Sequence, residues 1–244
     1  MEEGGGAHTR ISQPAAGADG RLRCADAASF AALLGDAPHG LLTSPSHPVF
    51  GRGGGRFATV LDGVLSPAAC QAIIADTERR GYVAALLNMG GGVEALRPDV
   101  RSNTRCIVDS PEFADALFAR VRHALPEEFF GARIVGLNER LRFLRYDPGE
   151  RFRVHRDGSF ERTSGARECT LVTLLLYLND GYTGCFTTFY KDRGIEHLVP
   201  DEGLAVEPRP GRVLMHEHEL LHAANALESG RKYVLRTDVL YKFQ

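Results

Sequence analysis

The chain has 244 residues, of which 43% are hydrophobic and 25% charged, the ordinary composition of a globular protein. Its formal net charge of −2 gives no positive field for nucleic acid, so we expect no nucleic-acid partner. No apolar run reaches the length of a membrane span, and we recognise no signal peptide. Together with five cysteines and no C-x-x-C pair, these features predict reduced thiols in a cytoplasmic protein that is not bound to a membrane.

The first half of the chain divides into two regions by composition. Residues 1–20 are rich in Gly and Ala and have almost no large apolar residues, so they predict a disordered tail. Residues 21–132 predict a supporting region with a short helix within 25–35. Two further helices are predicted to begin at Ser66-Pro67 and Ser110-Pro111, because each pair puts a capping hydroxyl before a proline at the first helical position.

From residue 133 to residue 244 the chain predicts strands separated by Gly, Pro and Asp turns. The predicted strand segments are RIVGL, LRFLRY, ECTLVTLLLYLND, FTTFY, LAVE, RVLM and KYVLRTDVLY. Many short strands late in a chain favour a sandwich or barrel of jelly-roll type, with the earlier helices covering one face. We therefore expect a mainly β fold with supporting helices, and a core formed by 133–244.

A candidate metal site begins in the alternating segment RFRVHRD. His155 and Asp157 are two residues apart, so a strand would project both side chains to the same side. One imidazole and one carboxylate, completed by a distant histidine, form the facial triad that is typical of non-haem Fe(II) sites. H-x-D alone is often a chance surface pair, but His222 follows 65 residues after Asp157, and Lys232 ten residues after His222. This ordered set favours the metal site.

Taken in order, these motifs resemble those of the iron- and 2-oxoglutarate-dependent dioxygenases, specifically the prolyl 4-hydroxylase-like branch. The resemblance is carried by Tyr146, His155, Asp157, YLND at 177–180, GCFTTF at 184–189, His222 and Lys232. It is strongest over 140–241 and fainter over 57–125. It implies a double-stranded β-helix of the jelly-roll, cupin-like type.

The resemblance also implies the chemistry. His155, Asp157 and His222 match the iron ligands and are thereby the candidate catalytic residues, with 2-oxoglutarate and O2 as co-substrates and ascorbate as a stimulant. The implied reaction hydroxylates an unactivated C–H bond and releases succinate and CO2. Halogenating relatives lack the carboxylate ligand, so Asp157 favours hydroxylation. The substrate is left open among an amino acid, a peptide or protein residue and a small metabolite, and the oligomeric state is left open as well.

Four further residues are candidates for binding 2-oxoglutarate. By the resemblance, Lys232 matches the basic residue that pairs with the distal carboxylate, and Tyr146 and Thr187 match hydroxyls that hydrogen-bond it. GCFTTF lacks the glycine pair and the acid of many relatives, which leaves Thr188 as an alternative to Thr187. Arg236 lies on the same strand face as Lys232 and is the rival cation. A lysine that faces a barrel interior needs an anionic partner, which a dicarboxylate supplies.

The segment 85–105 predicts a mobile Gly-containing loop of the kind that often carries specificity. Arg101, Asn103 and Arg105 in this segment are candidates to face the pocket. The alternative interpretation is an ordinary polar loop.

Two other functional classes stay open. Residues 218–222, HELLH, match H-E-x-x-H, which on a helix holds zinc with the glutamate as general base. The apolar RVLM just before it and the strong strand soon after it argue against such a helix. Asn225 and Glu228 also stand where the longer metzincin pattern has Gly and His. The remaining alternative is a jelly-roll sensor that binds 2-oxoglutarate without turnover.

Overall fold

The structure is a computed structural model and describes residues 27–36, 47–48, 56–89, 93–162, 167–191 and 203–244. The predicted disordered tail at 1–20 lies outside the described residues. Within these ranges, no helix is both long and apolar enough to cross a membrane.

The helices lie in the first half of the chain. They are α1 Ala27–Ala32, α2 Pro67–Arg80 and α3 Pro111–Val121, followed by a 3-10 turn at Arg122–Ala124. α2 and α3 begin as the sequence predicts, because Ser66 and Ser110 each accept a hydrogen bond from the backbone N–H three residues later. The short helix expected within 25–35 is α1.

The strands are mostly short. They are β1 His47–Pro48, β2 Ala58–Leu61, β3 Val83–Ala84, β4 Leu87–Asn88, β5 Glu94–Ala95, β6 Thr104–Asp109, β7 Glu128–Phe129, β8 Ala132–Leu137, β9 Arg140–Tyr146, β10 Phe152–His155, β11 Glu161–Arg162, β12 Glu168–Tyr177, β13 Thr183–Gly184, β14 Thr187–Phe189, β15 Leu204–Val206, β16 Val213–Glu217, β17 His222–Ala224, β18 Leu227–Ser229 and β19 Lys232–Phe243.

Two antiparallel sheets form the body of the fold. The main sheet follows the order β1-β2-β16-β12-β19-β9-β6-β3, and β7, β8 and β11 are attached to it. The long strand β19 pairs with β12 along one edge, and with β9 and then β8 along the other. The small sheet has the order β10-β17-β14-β15.

The main sheet is buried on both faces. Leu174 and Leu176 of β12 share an apolar cluster with helix residues such as Phe113 of α3. Leu175, between them, shares a second cluster with Phe189 of the small sheet. Strand side chains alternate between faces, so the end of β12, Leu174–Tyr177, is apolar at every position because each face meets a different core. The jelly-roll fold that the sequence predicts is confirmed, with helices on one face of the main sheet and the small sheet on the other.

The segment 85–105 differs from the predicted loop. β4 and β5 form a two-stranded hairpin within it, and β6 begins at its end and pairs with β9 in the main sheet. The apolar part of β6 is only Cys106–Val108, and so short a run does not distinguish a strand from a turn in sequence. β2 likewise pairs with β16, so the region before residue 133 contributes strands to the main sheet.

A backbone contact near the start of β16 generates a stability prediction. Gly211 has a φ of +81°, and a Cβ on it would meet the carbonyl oxygen of Leu65 at 2.0 Å. Gly211→Ala should lower the free energy of unfolding by more than about 2 kcal/mol, because the left-handed conformation and the backbone clash act together. Urea unfolding measures the change.

The matched control for this prediction is Gly136→Ala in β8. Its φ is not in the left-handed region, and a Cβ there has no heavy atom within 4 Å. We expect this variant to change the free energy of unfolding by less than about 1 kcal/mol. Equal losses in the two variants would contradict the explanation.

Candidate metal centre

Two strands of the small sheet and the residues that follow one of them bring three donor groups together. His155 ends β10 and His222 begins β17, and the antiparallel register places these two residues opposite each other. Asp157 follows β10, and its backbone N–H donates to the carbonyl of His218 at 3.0 Å. The donor atoms of His155, Asp157 and His222 all lie within 4.8 Å of one another.

Backbone carbonyls orient both imidazoles. Nδ1 of His155 lies 2.7 Å from the carbonyl oxygen of Arg153, and Nδ1 of His222 lies 2.9 Å from that of Leu220. A proton on Nδ1 satisfies each carbonyl and leaves Nε2 as the free lone pair, the tautomer that binds a metal. Both Nε2 atoms point towards Asp157, at 3.7 and 3.8 Å from its carboxylate oxygens.

The Asp157 carboxylate is held from the main sheet. The hydroxyl of Thr173 in β12 donates to Oδ2 at 2.6 Å, and a terminal nitrogen of Arg236 in β19 lies 3.1 Å from Oδ1. Burial by itself would raise the pKa of Asp157, but the charge of Arg236 holds it well below its usual range. The carboxylate is therefore ionised and oriented, as a metal ligand must be.

The histidines are held neutral. Burial lowers the pKa of His155 to about 3, with a smaller contribution from His222. Burial also lowers the pKa of His222. Neutral imidazole is the form that ligates a metal.

The dimensions fit a first-row divalent metal. Two atoms each about 2.1 Å from one ion lie no more than about 4.2 Å apart. The two histidine–carboxylate separations, 3.7 and 3.8 Å, fall within that limit. Two imidazoles and one carboxylate are the donor set of the facial triad, which leaves coordination positions open for other ligands.

A chain of charges continues behind the site. Asp238 of β19 lies 3.1 Å from Arg236, 3.2 Å from Arg142 and 3.6 Å from Nε2 of His218. Burial by itself would raise the pKa of Asp238, but Arg236 and His218 lower it to about 2. Arg236 thus lies between two ionised carboxylates.

A pocket opens from the donor cluster. Its walls include Tyr146, Thr187, Lys232 and Arg236, the four residues predicted from the sequence to bind 2-oxoglutarate. Thr188, the alternative to Thr187, is not among the lining residues. Thr187 accepts a hydrogen bond from the hydroxyl of Tyr177 at 2.8 Å, within an otherwise apolar wall.

Lys232 is buried at the pocket with 2% of its surface exposed. Its ammonium donates to the carbonyl of Cys185 at 2.6 Å and lies over the rings of Tyr146 and Tyr177, 5.2 and 5.9 Å from their centroids. Burial lowers its pKa. Among the described residues, no carboxylate pairs with it, whereas Arg236 meets two.

The three polar candidates of the segment 85–105 are buried, not spread over a polar loop surface. Arg105 pairs with Glu94 at 3.0 and 2.9 Å, which holds the β4–β5 hairpin against β6. Arg101 lines the pocket, and its Nε donates to Oδ1 of Asn103 at 2.7 Å. Arg101 is thus the member of the three that lines the same pocket as the donor cluster.

The H-E-x-x-H match does not form a zinc site of the helical type. His218 and Glu219 lie in the turn after β16, and His222 begins β17, so no helix places the two histidines on one face. His218 approaches Asp238, and His222 belongs to the cluster with Asp157. His216 is also close, with Nε2 at 4.0 Å from Asp157, and burial lowers its pKa to about 3.

Two residues that contribute to the site were not predicted from the sequence. Thr173 is a hydroxyl in an apolar strand, and its position opposite Asp157 depends on how the two sheets face each other. Phe152 stacks on the ring of His155 with centroids 3.6 Å apart and meets the guanidinium of Arg101 at 4.6 Å. Only the polarity of Thr173 within ECTLVTLLLY is a signal in the sequence.

Solved structures with a similar fold include a prolyl-4-hydroxylase from Pseudomonas putida, with 20% identity over 76% of this chain and 93% of that chain and a TM-score of 0.53. The viral collagen prolyl hydroxylase of Paramecium Bursaria Chlorella virus-1 has 21% identity over 78% of this chain and 99% of that chain, with a TM-score of 0.51. A prolyl hydroxylase from Trichoplax adhaerens, in complex with a hypoxia inducible factor peptide fragment, has 13% identity over 76% and 83%, with a TM-score of 0.52. At such identities the similarity shows the fold.

Part of the sequence also matches a family model. Residues 141–237 match the model of the 2OG-Fe(II) oxygenase superfamily. This segment contains the three clustered donors and the pocket cations Lys232 and Arg236. No curated protein matches the sequence. The fold and this match agree that residues 141–237 form a domain of the 2OG-Fe(II) oxygenase type. The chemistry of that superfamily uses Fe(II), 2-oxoglutarate and O2.

Proposed function

We propose that His155, Asp157 and His222 bind Fe(II), and that the adjoining pocket binds 2-oxoglutarate and a substrate for hydroxylation. The observation that carries the proposal is the convergence of two imidazoles and one carboxylate within 4.8 Å beside a pocket that contains a buried lysine. The donor set suits Fe(II), and the lysine without a carboxylate partner suits a dicarboxylate.

The reaction balances as one substrate C–H bond, 2-oxoglutarate and O2 giving an alcohol, succinate and CO2. Bound Fe(II) supplies the oxidising chemistry. The chain's own residues orient and enclose the reactants: Thr173 and Arg236 hold the Asp157 carboxylate, and backbone carbonyls hold the imidazoles. Apolar side chains of both sheets line the same pocket and exclude water from it.

Within the pocket, we assign the distal carboxylate of 2-oxoglutarate to Lys232. Arg236, the rival cation, already lies between Asp157 and Asp238, so its charge is matched without a ligand. Tyr146 pairs with Lys232 across the β9–β19 ladder, which places its side chain beside the ammonium. Thr187 lines the same pocket and Thr188 does not, which favours Thr187 as the hydroxyl that binds the co-substrate.

The substrate class in this proposal is an amino acid, a peptide or protein residue, or a small metabolite. Prolyl hydroxylases share the fold, but function depends on the site and not on the fold. Stimulation by ascorbate and a cytoplasmic location stay predictions from the sequence.

The first prediction of this assignment concerns the metal. Wild-type protein should bind about one Fe(II) or Mn(II) per chain, as a facial triad does. Asp157→Ala and His222→Ala should each abolish tight binding, because each removes a donor. His218→Ala is the matched control and should keep the metal, since His218 approaches Asp238 and not the donor cluster. Isothermal titration with Mn(II) under exclusion of oxygen measures all four proteins.

The opposite pattern would overturn the assignment. If His218→Ala lost the metal and Asp157→Ala kept it, the ligands would be those of the zinc alternative and the oxygenase site would be misplaced.

A second prediction concerns the co-substrate. Lys232→Ala should raise the 2-oxoglutarate requirement by about tenfold to a few hundredfold, because a charge-assisted hydrogen bond contributes roughly 1.5–3 kcal/mol or more when buried. Arg231→Ala is the control, since Arg231 is half exposed and pairs with Asp147 at 2.5 Å. Titration of 2-oxoglutarate into the Mn(II)-loaded variants gives the apparent affinities.

Arg236→Ala completes the comparison. Because Arg236 holds Asp157, its loss should weaken metal binding and only secondarily the affinity for 2-oxoglutarate. A Lys232→Ala protein with unchanged 2-oxoglutarate affinity, beside an Arg236→Ala protein that has lost it at saturating metal, would show that the wrong cation was assigned.

The third prediction separates the enzyme from the sensor alternative. With Fe(II), ascorbate and O2, the protein should convert 2-oxoglutarate to succinate slowly alone and faster with its substrate. Succinate is quantified by mass spectrometry, with Asp157→Ala as the blank. Bound iron without succinate, across a broad substrate screen, would favour a sensor.

A further inference from the structure

Arg101 lies against the small sheet, beside the strand that ends in His155. An isolated bridge joins Arg101 to Phe152 at the start of β10, and the N–H of Arg153 donates to the carbonyl of Val100 at 2.9 Å. These contacts hold the backbone of Arg101, from which the side chain extends. The side chain then lines the pocket that also contains the metal donors.

Two contacts orient the guanidinium group. Its Nε donates to Oδ1 of Asn103 at 2.7 Å, and the Nδ2 of Asn103 donates to the carbonyl of Thr104 at 2.8 Å, which fixes the amide. The guanidinium carbon lies 4.6 Å from the ring centroid of Phe152. Among the described residues, the two terminal nitrogens have no hydrogen-bond partner, and their paired N–H groups form the edge that binds carboxylates in a bidentate manner.

The charge of Arg101 is not matched by the described part of the chain. It is 7% exposed and forms no ion pair with a carboxylate of this part, since Asp157, which pairs with Arg236, attracts it only at longer range. Burial lowers its pKa to about 10, so it stays charged at neutral pH. Its neighbour Arg105, equally buried, meets Glu94 through two hydrogen bonds. A buried guanidinium that is oriented and lacks a counter-charge is costly without a bound anion.

The co-substrate does not account for this anion. In the proposed function, one carboxylate of 2-oxoglutarate binds at the metal and the other at Lys232. Lys232 extends from β19 of the main sheet, whereas Arg101 extends from beside β10 at the edge of the small sheet. The anion that Arg101 requires therefore belongs to the molecule that is oxidised.

We propose that Arg101 binds a carboxylate of the primary substrate, which makes that substrate a small carboxylic acid such as a free amino acid. This inference rests on the proposed function. A substrate held by its carboxylate beside the metal presents the carbons nearest that group for oxidation. An internal residue of a peptide has no such carboxylate unless its side chain is acidic.

The test compares acids with their uncharged counterparts. The probes are free amino acids, their carboxamides, and capped peptides that contain an internal Asp or Glu, each added to protein loaded with Mn(II) and N-oxalylglycine. Affinity is measured by thermal shift and then by calorimetry. At least one free acid should bind and its carboxamide should bind at least about tenfold more weakly, since a charge-assisted bond is lost.

Variants test whether Arg101 causes the preference for the acid over its carboxamide. Arg101→Gln should reduce affinity for that acid by at least about tenfold, with Arg101→Lys intermediate because it keeps the charge but not the bidentate edge. Arg151→Gln is the matched control, since Arg151 is an exposed arginine next to β10. Binding of Mn(II) and N-oxalylglycine to Arg101→Gln should stay within about threefold of wild type, which also shows that the variant is folded.

Four results would overturn the inference. Carboxamides that bind as well as the acids, or no acid that binds, would remove the role of the carboxylate. Loss of N-oxalylglycine binding in Arg101→Gln would assign the residue to the co-substrate. Capped acidic peptides that bind through Arg101 while free acids do not would exclude the small-acid class.

Failure of the proposed function has a different signature. In that case the wild type would not bind Mn(II) or N-oxalylglycine. The comparison of acid with carboxamide in their absence would then decide on Arg101 independently. The same comparison in wild type stands even if Arg101→Gln does not fold.

Discussion

Strand β19 must bury two cations on one face, and the architecture of the site follows from how each charge is compensated. A buried guanidinium or ammonium is stable only beside opposite charge or a full set of hydrogen bonds. Arg236 lies 3.1 Å from Asp157 and 3.1 Å from Asp238. The first of these ion pairs also orients the carboxylate that approaches both histidines. The ion pair that compensates the charge of Arg236 in the main sheet therefore also positions Asp157, the carboxylate donor that follows β10 of the small sheet.

The charged residues in and behind the pocket give it a net positive charge. Arg101, Lys232 and Arg236 line it, against Asp157 in its wall and Asp238 behind it. Fe(II) and 2-oxoglutarate carry equal and opposite formal charges, so binding both does not change this balance. Lys232 gains a counter-charge from the co-substrate in the proposed function, but the excess then resides on Arg101. The electrostatics of the complete site therefore favour an anionic substrate over a neutral one.

Local patterns were enough to predict the elements that depend on local physics. Ser66 and Ser110 cap their helices because the capping hydroxyl needs only the next turn of backbone. The faces of β19 follow from strand alternation, and Lys232 and Arg236 share one as predicted. Alternation also predicted that His155 and Asp157 would lie close together, but β10 ends at His155, and the hydrogen bond from the Asp157 N–H to the His218 carbonyl helps to place Asp157. His222 was selected by its spacing to Lys232 within a family resemblance, because no local rule brings β10 and β17 together.

The remaining features depend on contacts between distant segments, which a single sequence does not contain. Arg101 looked like one of three polar residues in a loop, and only the bridge to Phe152 sets it apart from Arg105, whose charge Glu94 matches. The HELLH match is the opposite case, because a local pattern there indicates a site that the structure does not form. Its spacing has a chemical meaning only on a helix, where residues four apart share a face. The chain instead turns after β16 and enters β17, so each histidine of the match meets a different carboxylate. The same His222 is a candidate metal ligand in this fold because its partner in space is His155, 67 residues earlier in the chain.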